Sequence, residues 1–131
     1  MKQHLDTLIE TLCLEDPRYH EDAYEFVLEA LSFTQYKFRR KKHVTGKELL
    51  EGVKVLLMER FGPMALSVLQ YWGIKSTEDF GNIVFNLVQK KILSKTEDDS
   101  LDDFRGVYDL ETIFGPVYRR AVEKKISQLR Y

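Results

Sequence analysis

The sequence predicts a mainly α-helical domain, with a winged-helix-like tri-helical core made by helices three to five, one β-hairpin wing, and extra helices at the N- and C-termini. Three observations lead there. Apolar residues recur with helical spacing in successive stretches from the N-terminus to Val88. A tight glycine turn at Gly73 separates the fourth stretch from the fifth. After Lys91 the period changes, and "ILSKTEDDSLDDFRGVYDL" sets polar, turn-forming residues between two short apolar arms. Three helices followed by a hairpin is the winged-helix order. With 131 residues, the chain fits a single domain spanning 1–131. Residues 1–43 form an N-terminal helix pair, 44–109 the core, and 110–131 the C-terminal helix.

The first helix runs near Gln3–Cys13, with Leu5, Leu8, Ile9 and Leu12 on one face. "EDPRYH" breaks the pattern at Pro17. The second helix, about Glu21–Phe38, buries Ala23, Phe26, Val27, Ala30, Leu31 and Thr34, and turns Glu21, Glu25 and Glu29 outward. In "HVTGKELLEGV", Thr45 caps the third helix and Glu48 returns the bond, with Val44 and Leu49 as the staple pair. Leu49, Leu50, Val53, Leu56 and Leu57 form its apolar face, and Gly62 ends it.

The fourth helix, about Pro63–Trp72, is apolar almost all round, which predicts a place in the middle of the domain. Gly73 closes it in a left-handed turn with Ile74 folding back. Ser76 then caps a fifth helix that opens with Thr77, Glu78 and Asp79, acids favoured by the N-terminal dipole. Its buried stripe is Phe80, Ile83, Val84, Leu87 and Val88. The hairpin follows, with its tip near Asp98–Asp102, and Asp109 caps a short turn to Phe114. "GPVYRRAVEKKISQLRY" ends the chain as a basic amphipathic helix with Val117, Tyr118, Ala121, Val122 and Leu129 inward.

The blocks "RYHEDAYEFVLEAL", "HVTGKELLEGVKVLLMERFGPMALSVLQYWGI" and "TEDFGNIVFNLVQKKILSKTEDDSLDDFRGVYDLETIF" resemble the signature blocks of a bacterial family of conserved hypothetical proteins, the "Minf" family. The resemblance extends from Arg18 to Tyr118. It implies a small cytosolic bacterial protein of unassigned function, and it brings no catalytic or ligand residues with it.

Composition agrees with that compartment. The chain is 44% hydrophobic, has a formal net charge of −1 and contains one cysteine, Cys13, so it cannot form an internal disulfide. No apolar run reaches the length of a membrane span, and "MKQHLDTLIE" lacks the apolar core of a secretion signal. A cytoplasmic protein without membrane attachment is expected.

The residues give little purchase to catalysis, and we expect no enzyme. His4, His20 and His43 lie in three different elements, away from helical spacing to one another or to Cys13, so neither a zinc motif nor a nucleophile motif is present. Thr45–Gly46–Lys47 would suit phosphate at a helix start, but capping explains the same residues. Asp98, Ser100 and Asp102 alternate as at the start of a calcium loop, yet the sixth position is Asp103 where glycine is needed, and the twelfth is Asp109 rather than glutamate. No cofactor and no metal is expected.

Binding is better supported. The outward face of the fifth helix carries Glu78, Asn82, Phe85, Asn86 and Gln89, and the wing tip carries Glu97, Asp98, Asp99, Asp102 and Asp103. Carboxylates there oppose phosphate, so sequence-specific DNA is disfavoured. Phe85 lies off the buried stripe. Either the N-terminal helices cover it or, flanked by Asn82 and Asn86, it anchors a protein interface. In "YKFRRKKH", Lys37, Arg39, Arg40, Lys41 and Lys42 place five of the twenty basic residues within six positions, interleaved with Tyr36 and Phe38. Such a segment grips an acidic protein surface or tracks a phosphate backbone while an aromatic stacks on a base. The simpler reading is a solvated helix end favoured by the dipole. The expected function is a binding module acting through protein contacts, with RNA or ribosome binding through residues 37–43 as the alternative.

Overall fold

The computed structural model describes residues 2–39, 43–95, 99–115, 124, 125 and 127–129. Its helices are α1 (Lys2–Glu15), α2 (Glu21–Lys37), α3 (Gly46–Phe61), α4 (Ala65–Tyr71), α5 (Thr77–Gln89) and α6 (Leu110–Phe114). Single 3-10 turns occupy Gly62–Met64 and Leu101–Phe104.

Local chemistry sets the helix boundaries. The capping box of α3 is complete: Glu48 N–H donates to Thr45 Oγ1 at 3.1 Å and Thr45 N–H to Glu48 Oε1 at 3.0 Å. At the start of α2 the cap is His20, whose Nδ1 accepts from Asp22 N–H at 3.0 Å. Asp79 Oδ2 closes the start of α5 by accepting from the N–H groups of Lys75 and Ser76. α4 ends as expected. Gly73, at φ +85°, donates to Gln70 O, and Ile74 N–H reaches back to Leu69 O at 2.9 Å. The same arrangement closes α5 around Lys91 at φ +62°, without a glycine.

The core lies between α2 and α3, with α5 packed against both. The expected apolar face of α3 is buried at all five positions, together with Ala23, Phe26, Val27, Ala30 and Thr34 of α2. The two helices approach closely at Gly52. A Cβ there would stand 1.8 Å from Thr34 Oγ1, which donates to Ala30 O. On the other side of α3 and α5, Phe104 lies over Gly81 and Gly46, where added Cβ atoms would meet its ring.

Two expectations are corrected. The first is the winged helix: among the described residues there is no strand, so the β-hairpin wing is absent and α3–α5 are not a winged-helix core. Residues 96–98 of the expected tip lie outside the described residues, but the second arm is settled. Leu101–Phe104 forms a 3-10 turn in which Ser100 Oγ accepts from Asp102 N–H and Asp103 Oδ2 from Ser100 N–H. Short polar side chains take the local backbone groups that a strand ladder would need. Phe104, at the end of the turn, is buried on α5 while Leu101 is exposed.

The second correction concerns α4, expected in the middle of the domain. α4 buries Ala65 and Leu69 but lies at the edge, with Met64 58% and Tyr71 71% exposed. Its apolar outer side therefore meets solvent. Leu129, expected inward, is 73% exposed. The other expected inward residues of that helix, Val117, Tyr118, Ala121 and Val122, lie outside the described residues.

Candidate functional site

The edge position of α4 leaves an open groove of about 460 Å³ between it, α2 and the end of α3. Phe26, Phe61 and Trp72 make its floor. Their rings form one cluster, with centroids 5.2 Å apart for Phe26–Trp72 and 5.8 Å for Phe61–Trp72. Asp22, Glu25 and Glu29 line the α2 side, while Val68 and Tyr71 line the α4 side. Arg60 pairs with Glu29 across the α3 end.

Tyr71 also forms a ridge. Its ring lies 5.0 Å from that of His20, with the hydroxyl 3.4 Å from His20 Nε2. Beyond it a second recess, of about 530 Å³, is lined by Cys13, Arg18, Tyr19, His20 and Trp72. The combination of Cys13 and His20 invites a nucleophile reading, which the local chemistry opposes. Burial pushes the Cys13 thiol up, and Glu21 and Asp16 push it further. Its S–H is directed to Tyr19 O at 3.6 Å. An activated cysteine needs the opposite environment.

The sequence-derived sites are dispersed. Lys37 ends α2 and Arg39 follows it in the left-handed region at φ +55°, both exposed beside Tyr36, which is 86% exposed. Arg40, Lys41 and Lys42 lie outside the described residues. Phe85 is half-buried against the core and lines a narrow recess of about 70 Å³ with Val27, Leu31 and Val44, with Lys95 Nζ 5.9 Å from its ring centroid. The chain's own helices thus supply much of its cover.

Asn82 and Asn86 do not flank Phe85 as free amides. Asn82 donates to Tyr19 OH at 3.0 Å, and Asn86 donates to Asp16 Oδ2 at 2.9 Å and to Tyr24 OH at 3.0 Å. Tyr19 OH donates in turn to Asp79. This network fastens residues 16–20 to α5. Arg18 grips both Asp16 oxygens, at 2.8 and 2.7 Å, and with Asn86 it holds the Asp16 carboxyl well below the usual carboxylate range.

The acidic segment is similarly engaged. Asp99 lies 3.4 Å from His43 Nε2, Asp102 pairs with Arg105 at 3.2 Å, and Asp103 caps Ser100. Glu97 and Asp98 lie outside the described residues. Among the described residues, no three His, Cys, Asp or Glu side chains group as metal ligands, and no helix is long and apolar enough to cross a membrane.

The sequence reading placed no site at the groove. Its signal was the all-round apolarity of α4, which an interior position and an unfilled interface produce alike. No family model, curated protein or solved structure matches the chain.

Proposed function

We propose that the chain is a non-catalytic, cytoplasmic binding module that works through protein contacts, with the α2–α4 groove as its apolar contact and the basic end of α2 as a polar one. The observation that carries this reading is the open groove itself, where half-buried Phe61 lies over the buried rings of Phe26 and Trp72 beside an exposed Tyr71. Aromatic anchors around a central depression supply the desolvated contacts that dominate binding energy at protein interfaces. The lone Cys13 suits a reducing compartment.

A second reading, RNA or ribosome binding, is favoured by one feature. Tyr36 stands exposed beside Lys37 and Arg39, neither of which forms an ion pair with a described residue. An exposed ring among cations can stack on a base.

The two separate in a capture experiment from the native host, run with and without nuclease. Tyr71→Lys charges the rim of the groove at an exposed position, so the fold should persist. If the protein reading is right, this variant loses the partner and nuclease does not. Loss on nuclease treatment and on Arg39→Ala, with the groove variant unaffected, replaces it with the RNA reading.

A further inference from the structure

We infer that the occupant of the groove is a basic amphipathic segment of a partner protein, one that sets apolar side chains against Phe61, Val68 and Tyr71 and cations against the α2 rim; this rests on the protein-binding reading above. Asp22, Glu25, Phe26 and Glu29 are spaced i, i+3, i+4 and i+7, so three carboxylates run along one face of α2 above a buried aromatic. Over seven residues that row is roughly 10 Å long. It matches the spread of two or three cations on one side of a helix.

The charge balance selects the sign of the partner. Glu29 is matched by Arg60. Asp22 has only the His20 imidazole, 3.7 Å away and charged only when protonated. Glu25 forms no ion pair with a described residue. A neutral or acidic segment laid here would strip water from Asp22 and Glu25 and return nothing for it. A lysine or arginine restores the lost interactions, and the exposed face of Tyr71 offers it a ring as well. Nucleic acid would meet the same carboxylates with its phosphates.

Apolar anchoring is equally local. Val68 and Tyr71 of α4 extend the aromatic floor outward. The groove is open along its length, which suits a chain segment rather than an enclosed small molecule.

A displayed library of random 16-residue peptides, selected on the full-length chain, tests this. Enriched peptides should carry lysine or arginine around a tryptophan, phenylalanine or leucine anchor and should compete with one another. Asp22→Asn with Glu25→Lys should weaken them at least tenfold, and so should Tyr71→Ala, while the melting temperature of each variant stays near that of the parent. Peptides that are acidic or uncharged, yet lost with Tyr71→Ala, would keep the groove as a protein site and overturn the basic occupant. Peptides indifferent to Tyr71→Ala would overturn both the occupant and the groove. Concentration-dependent self-association that Glu25→Lys abolishes, with no peptide enriched, would assign the groove to a second copy and overturn the inference.

Discussion

Gly73 shows how one residue can be required twice. Its φ of +85° is a conformation that side-chain-bearing residues avoid, and a Cβ placed on it would stand 2.0 Å from the carbonyl oxygen of Arg18. Backbone strain alone costs about 1–2 kcal/mol in the left-handed region. The steric conflict is with main chain, which cannot swing aside, so Gly73→Ala should cost more than that in thermal or urea unfolding. Arg39 and Lys91 present the converse case, for both adopt positive φ without being glycine. Replacing either by glycine should raise stability by up to about 1 kcal/mol, the strain relieved less the extra chain entropy. For Arg39 the gain in stability should come with weaker partner binding if the cation serves a contact. For Lys91 only the gain should appear.

Among the elements, the 3-10 turn at Leu101–Phe104 depends on a glycine in its neighbour. In an open helix, Gly81→Ala would stabilise by about 1 kcal/mol. Here the new Cβ would lie 2.8–2.9 Å from Cγ, Cβ and Cδ2 of Phe104, so the ring has to leave its seat or α5 has to shift. The substitution should therefore destabilise, by about 1–3 kcal/mol. In a Phe104→Ala background the ring conflict is removed and the Cβ contact at 2.9 Å remains, so the cost should shrink, which a double-mutant cycle by thermal melting would reveal. Legibility at this scale followed the range of the interaction. The Thr45–Glu48 box, the Gly73 turn and the Asp109 cap, whose carboxylate accepts from Thr112 N–H at 3.0 Å, involve near neighbours and were readable from residue types. The acidic stretch was misread as a hairpin, because its serine and aspartates bond locally and a buried Phe104 pulls the segment onto α5. Asn82 and Asn86 are partly exposed, but their amides are taken up within the chain. Their partners, Tyr19, Asp16 and Tyr24, are more than sixty positions away, and no periodicity announces such a pairing.

Taken as a whole, the molecule should have a broad stability plateau with two differently caused edges. Asp16 is held ionised by Arg18 and Asn86, so its folded value lies below its unfolded one. That stability is complete above the unfolded carboxyl value of about 3.9 and is lost as pH falls below it. Tyr19, Tyr24 and Tyr108 are shifted the other way, chiefly by burial. Tyr108 also donates to Leu50 O at 2.8 Å. Their contribution is complete below the unfolded tyrosine value of about 10 and is lost as pH rises beyond it. Cys13, also raised by burial, adds a contribution that is lost from the unfolded thiol value of about 8.5 upward, so melting temperature should hold between about 3.9 and about 8.5 and fall outside that range. On the alkaline side, tyrosinate absorbance from these three rings should appear together with the loss of helical circular dichroism. In a variant whose other four tyrosines are phenylalanine, gradual ionisation ahead of unfolding would contradict the burial described.

The segment between α1 and α2 has no helix or strand of its own and displays Arg18 to solvent, which ordinarily marks a point of proteolytic attack. Yet its main chain is held from three directions. Arg18 N–H donates to Asp16, the Arg18 carbonyl abuts Gly73, and His20 N–H donates to Trp72 O at 3.1 Å. A protease must draw its substrate out as an extended strand, and these ties have to break first. Brief trypsin digestion followed by mass spectrometry should show the Arg18–Tyr19 bond surviving, and Gly73→Ala, which pushes the Arg18 carbonyl away, should turn that same bond into an early cut.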